Sequence, residues 1–143
     1  MIRTSWRSWQ PSSAPIPVPV NHDSGRHPIS PDGTAVAVSA PEGGTQLASL
    51  AGLPTRSFPG IVGEQPIAFS GDGTALFAMH DTGESIELER IDIASGTRTS
   101  WTRITPEQRP VYYSVAVDPT GERITYSTNS DSSDLYVIEQ PAH

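Results

Sequence analysis

A turn that recurs constrains this chain more than any other feature. Ser30-Pro31-Asp32-Gly33-Thr34, Ser70-Gly71-Asp72-Gly73-Thr74 and Asp118-Pro119-Thr120-Gly121-Glu122 share one pattern, a polar residue, two bend residues and a Gly in fourth place. The Gly-to-Gly spacings are 40 and 48 residues. A tight hairpin needs one residue at positive φ, which Gly adopts without steric cost. Each turn is followed by a short apolar or alternating run: Ala35-Val36-Ala37-Val38, Ala75-Leu76-Phe77-Ala78-Met79 and Arg123-Ile124-Thr125-Tyr126. Similar runs precede it, most clearly Ile67-Ala68-Phe69 and Val115-Ala116-Val117. Two such runs around a Gly turn predict a β-hairpin.

A third and a fourth strand follow at regular distances. Leu47, Leu88 and Leu135 lie 14, 15 and 14 residues after the turn glycines, in the segments Thr45–Leu50, Ile86–Ile93 and Leu135–Ile138. Between Leu88 and Ile91 the apolar phase slips, which predicts a bulge or an early end of that strand. Arg56 and Arg98, 23 and 25 residues after their glycines, sit in the fourth segments Thr55–Pro59 and Arg98–Trp101. Arg-Thr-Ser-Trp also opens the chain at Arg3–Trp6, and Pro11 and Pro106 keep the same offset of 95 residues. Four strands in a unit of this length predict a β-propeller blade, a small antiparallel sheet that needs neighbours on its faces. The expected fold is therefore all-β, a partial β-propeller of about three four-stranded antiparallel blades. Residues 1–28 read as an outer strand plus the Pro-rich connector Pro15–Val20, 29–66 and 67–114 as whole blades, and 115–143 as a last blade lacking its outer strand. The inward-facing candidates are Val36, Val38, Phe69, Leu76, Ala78, Ile91, Val115, Val117, Ile124, Tyr126 and Val137.

The Ser-Pro-Asp-Gly turn followed by an apolar strand resembles the TolB-like, WD-repeat-like propellers of bacteria. Over residues 28–139 the order of motifs is similar to the C-terminal end of the propeller attached to bacterial eukaryotic-like serine/threonine kinases. The residues carrying this are Pro28–Thr34, Phe69–Gly73, Ile91–Arg98, Asp118–Gly121, Tyr126-Ser127 and, most specifically, Ser133-Asp134-Leu135-Tyr136-Val137-Ile138-Glu139. The resemblance implies a sensor or interaction module joined to an N-terminal kinase in a larger signalling protein. Kinase elements themselves are missing: the 143 residues hold no Lys to pair ATP phosphates, no His-Arg-Asp loop and no Asp-Phe-Gly. The chain is thus read as no enzyme.

Composition narrows the partners. Nine basic residues against sixteen acidic ones give a net charge of −7 and argue against a nucleic-acid face. Cysteine is absent, which removes disulfides, thiolate metal sites and Cys nucleophiles together. Gly and Pro make up 26 of 143 residues, and interior prolines disfavour a helical bundle. No apolar run reaches membrane-spanning length, so no direct membrane insertion is expected, and Met1–Gln10 lacks the apolar core of a signal peptide. These features assign no compartment.

Ser70-Gly71-Asp72-Gly73 has no following Lys and no helix for a phosphate cradle, and it repeats, so it reads as a structural turn. Asp32, Gly33, Asp72, Gly73 and Gly121 are the expected turn residues, the two carboxylates accepting nearby backbone N–H groups. His80-Asp81 with Ser85, and His22-Asp23-Ser24, read as polar loop residues, because no Gly-x-Ser-x-Gly elbow accompanies them. The histidines at 22, 27, 80 and 143 lack the spacing of a helical zinc pair, and Asp131–Asp134 lacks the calcium-loop pattern. No cofactor and no metal are expected. Trp6 and Trp101 occupy equivalent positions and read as packing residues, which leaves Trp9, whose equivalent by offset is Ile104 and no aromatic, as the candidate exposed contact.

Three readings compete: a non-catalytic propeller module binding a protein or small ligand at one rim, the propeller of a prolyl-oligopeptidase-like serine peptidase, and a degraded gene remnant with no function of its own. Twelve strands make three blades, fewer than the roughly four to eight of closed rings. Further blades in a longer parent, or a homodimer formed by strand exchange, would complete such a ring.

Overall fold

A computed structural model of the chain describes residues 27–107 and 112–129, and its architecture is all-β, with no helix among the described residues. Among the described residues, nine strands form three antiparallel sheets. The first sheet holds β1 (Ala35–Ser39), β2 (Thr45–Ser49) and β3 (Arg56–Phe58), and Ile29 adds one bridge to Val36. The second holds β4 (Gln65–Phe69), β5 (Ala75–Asp81), β6 (Ile86–Asp92) and β7 (Arg98–Ile104). The third pairs β8 (Tyr112–Val117) with β9 (Ile124–Asn129). Each strand pairs with its neighbour in sequence, and β4 lies against β1 on one side and β8 on the other.

The second sheet is buried on both faces, and its sequence shows why. Leu76 and Ala78 of β5, with Phe69 and Ile91, pack against Ala37, Leu47 and Phe58 of the first sheet. Phe77 and Met79, with Ile67, Ile86 and Leu88, face Val115 of the third. A strand with both faces covered must be apolar without alternation, which the run Ala75–Met79 satisfies. The third sheet meets the second through β8. Tyr126 pairs with Val115 and shares its inward face, but one strand further out it lies beyond the cover of the second sheet and is 53% exposed, so it is no core residue. Val117 and Ile124 reach the core only in part.

Other differences have physical causes. The phase change between Leu88 and Ile91 is no bulge in β6, which pairs with β5 without interruption. It marks the two faces of one regular strand, Leu88 turned towards the third sheet and Ile91 towards the first. The irregularity lies instead in β7, where Leu88 pairs with Thr102 and Glu89 with Ser100, so that Trp101 is the extra residue. Its ring tilts against Phe77, centroids 4.8 Å apart. β4 starts at Gln65 and takes in Pro66, with a second irregularity at Ile67. A Pro has no N–H to give to a ladder and is accommodated where pairing is interrupted. β8 likewise starts before residue 115, so the sheets begin two or three residues ahead of the expected units at 67 and 115. The Arg3–Trp6 strand, Trp9, the Pro15–Val20 connector, His22, the Asp131–Asp134 run, the Leu135–Ile138 strand and His143 lie outside the described residues.

Gly33, Gly73 and Gly121 take φ of 72°, 73° and 74°. A β-branched side chain is strained there. Gly73→Val is expected to lower stability by about 1–3 kcal/mol, read as a shifted midpoint in a urea titration; an unchanged midpoint would contradict the turn geometry.

Candidate interaction surfaces

The described strands run between two ends, each built by its own connections. At one end sit the three recurrent turns. In the first, Gly33 N–H donates to Ser30 O (2.8 Å) and Ser30 N–H to Ala35 O (2.9 Å). Asp32 Oδ1 accepts from the Ser30 hydroxyl (2.6 Å), the Thr34 N–H (3.0 Å) and the Thr34 hydroxyl (2.8 Å). The second turn repeats this set on Asp72, with Ser70 at 2.7 Å and Thr74 at 3.0 and 2.8 Å. In the third the roles are exchanged. Asp118 stands where the other turns have Ser, and its Oδ1 accepts from the N–H groups of Glu122 and Arg123 while Oδ2 accepts from Thr120 Oγ1 (2.9 Å).

These hydrogen bonds favour the ionised carboxylates. The Ser30 hydroxyl, then the Thr34 groups, lower the Asp32 pKa to about 2, and Ser70 and Thr74 do the same for Asp72. For Asp118 burial opposes the shift, and the bonds from Arg123, Thr120 and Glu122 still carry its pKa below the ordinary value. The turns also touch one another. Gly71 N–H donates to Pro119 O (2.7 Å), and a Cβ on Gly73 would meet Pro31 Cδ at 3.7 Å. The expected turn residues Asp32, Gly33, Asp72, Gly73 and Gly121 thus come together along one end, where the two carboxylates accept from hydroxyl and backbone N–H groups of their own turns.

The other end carries residues that pattern reading missed. Glu64, only 3% exposed, lies between the first and second sheets. Its carboxylate accepts from Thr45 Oγ1 (2.8 Å) and, bidentately, from Arg98 Nη1 (2.7 Å) and Nη2 (3.0 Å). Arg98 also donates to Glu89 Oε2 (2.8 Å) and Phe58 O (3.0 Å), and Ser39 Oγ donates to Glu64 O (2.7 Å). Burial works against the Arg98 charge, but the hydrogen bonds and charges of Glu64 and Glu89 outweigh it and raise its pKa. A buried carboxylate left without such partners costs several kcal/mol. No motif flags this group, because its members are spread from residue 39 to 98.

This clamp braces the connection 59–64, whose tip points outwards. Gly44 N–H and Glu64 N–H both donate to Ile61 O (3.0 and 3.2 Å). A Cβ on Gly44 would collide with the Phe58 carbonyl, and one on Gly43 would stand 2.7 Å from Gly60 O, so backbone meets backbone directly. On this fixed loop Ile61 is 46% and Val62 68% exposed. Connections 40–44 and 82–85 emerge at the same end, since Gln65 pairs with Met79 and β5 closes at Asp81. Of the His80, Asp81 and Ser85 group, His80 and Asp81 end β5, while Ser85 Oγ engages Thr82 Oγ1 (3.2 Å). His80 Nδ1 is buried and has no hydrogen-bond partner.

Compared with models of known protein families and with curated proteins, the sequence matches none. Solved structures do match. TolB from Acinetobacter baumannii superposes with a TM-score of 0.52 at 18% identity, over 76% of this chain and 28% of that one. The likeness shows the fold: the antiparallel sheets are arranged as in a TolB-like β-propeller. This chain spans little more than a quarter of the TolB chain. No helix among the described residues is long and apolar enough to cross a membrane.

The turn geometry sets a pH dependence. The pKa of Asp72 is about 2 in the folded chain and near 3.9 when unfolded. Its contribution is therefore full above about pH 4 and is lost as pH falls towards 2. Asp72→Asn is expected to be less stable than wild type at pH 6, with the gap closing between pH 4 and 2 in urea titrations. A gap that stays constant down to pH 2 would contradict the assignment.

Proposed function

We propose that this chain is part of a β-propeller that works by binding another protein and carries no catalytic step of its own. The observation that carries the reading is the pair Ile61 and Val62, apolar side chains turned to solvent on a backbone held on both flanks. Exposed apolar groups on a rigid element bind with little ordering cost. The strongly acidic composition and the absence of Lys disfavour phosphate and nucleic-acid partners. The turn carboxylates and the Glu64–Arg98 clamp serve the fold, which leaves the loops between strands as the contact surface.

In finer detail, the chain is the C-terminal propeller end of a larger bacterial signalling protein of serine/threonine kinase type, and the parent supplies further blades. The motif order from Pro28 to Glu139 supports the kinase-type parent, and the fraction of TolB that the chain spans is in keeping with further blades. Panning a random peptide phage library against the immobilised chain tests the binding reading. A reproducible consensus, competed by soluble chain, is expected; enrichment no better than on a bare surface would contradict it.

A further inference from the structure

We infer that the end of the sheets bearing Ile61 and Val62 docks a basic segment of a partner protein, one that places apolar side chains on this pair and Lys or Arg around it. This rests on the protein-binding reading above and gives it a surface and a partner chemistry.

The argument is one of charge complementarity around an apolar centre. Ile61 and Val62 head a turn closed by the Glu64 N–H to Ile61 O bond, with Gly63 at φ 85°. At the same end stand Glu42, Glu84 and, at the close of β5, Asp81, all exposed, Asp81 also accepting from Gly83 N–H (2.7 Å), and connections 40–44, 59–64 and 82–85 hold no Lys or Arg. Among the described residues, Glu107 beyond β7 is a further exposed acid at this end, while two others are paired. Glu64 is neutralised by Arg98, and Glu87 on β6 by Arg103 on β7 at 2.5 Å. Glu42, Asp81, Glu84 and Glu107 have no ion pair among the described residues, so this end is acidic about the apolar pair. Such a rim repels acidic surfaces and attracts basic ones, while the centre supplies the burial that holds them. The opposite end is acidic as well, with Asp32, Asp72, Asp118 and Glu122, but Arg56 and Arg123 stand among these residues, and its exposed apolar side chains, Ile29 and Leu53, sit on separate segments.

The probe is a 14-residue amphipathic peptide of Leu and Lys, with a Leu and Glu peptide of the same pattern as control. Titrated into the isotope-labelled chain, the Leu–Lys peptide is expected to shift the amide resonances of Glu42, Ile61, Val62 and Glu84. Ile61→Ser with Val62→Ser, both at exposed positions, is expected to weaken it at least tenfold. Glu42→Gln with Glu84→Gln is expected to weaken it and flatten its salt dependence. Equal binding of the Leu–Glu peptide, shifts centred on Leu53 at the other end, or wild-type affinity in the Ile61/Val62 variant would each overturn the proposal. The phage selection separates the two levels. A consensus without Lys or Arg overturns this surface and leaves protein binding standing, whereas no consensus overturns the function itself.

Discussion

The Glu64 carboxylate is a charge enclosed between two sheets, and the described fold is arranged to answer it. A buried anion is tolerated only when its oxygens are filled. Thr45 from β2 and Arg98 from β7 fill them, so the first and second sheets are tied at one place. The same guanidinium caps the Phe58 carbonyl at the end of β3 and binds Glu89 of β6. Gly60 fits beneath it, where a Cβ would stand 2.8 Å from its Cζ. The connection from β3 to β4 is fixed as a result, and with it the exposed Ile61-Val62 tip.

The second constraint is the covering of sheet faces. The second sheet has apolar residues on both sides and is complete only with a neighbour on each. At the turn end, contact between sheets is made by backbone: Gly71 donates to Pro119, and Gly121 sits so close to the Phe77 ring that a Cβ would fall 2.6 Å from it. The repeated turn thus closes each hairpin and spaces successive sheets. That explains why a short Gly-bearing pattern returns along the chain with so little else in common.

Strand order was legible because it depends on local chemistry. Gly at positive φ, the flanking apolar runs and the distances to Leu47 and Leu88 are all carried by residues close in sequence. What escaped depends on partners far apart. Glu64 reads as an ordinary loop acid until Arg98, 34 positions on, is placed beside it. The switch between Leu88 and Ile91 resembled a bulge because one-sided burial was assumed, whereas both faces of β6 are covered. Tyr126 fitted an inward alternation but stands one strand away from the contact between sheets. Asp118 shows the reverse: the side-chain roles change while the turn remains, since Asp118 takes the place of Ser and Thr120 that of Asp, and the backbone bonds are kept. Ile61 and Val62 carried no sequence signal, because two apolar residues between Gly60 and Gly63 match no period.

The central claim is that the clamp makes the first two sheets one cooperative unit. Native-state hydrogen exchange on the wild type and on Arg98→Met tests it directly. In the wild type, the amides of Ala37 and Leu47 in the first sheet and of Leu88 in the second should open together. Removing Arg98 leaves Glu64 buried without its cation, a loss of about 3–5 kcal/mol. Protection at Ala37 and Leu47 should then fall by at least on the order of 100-fold, and more than at Leu88. Unchanged protection at Ala37 and Leu47, with the loss confined to β7, would contradict the account.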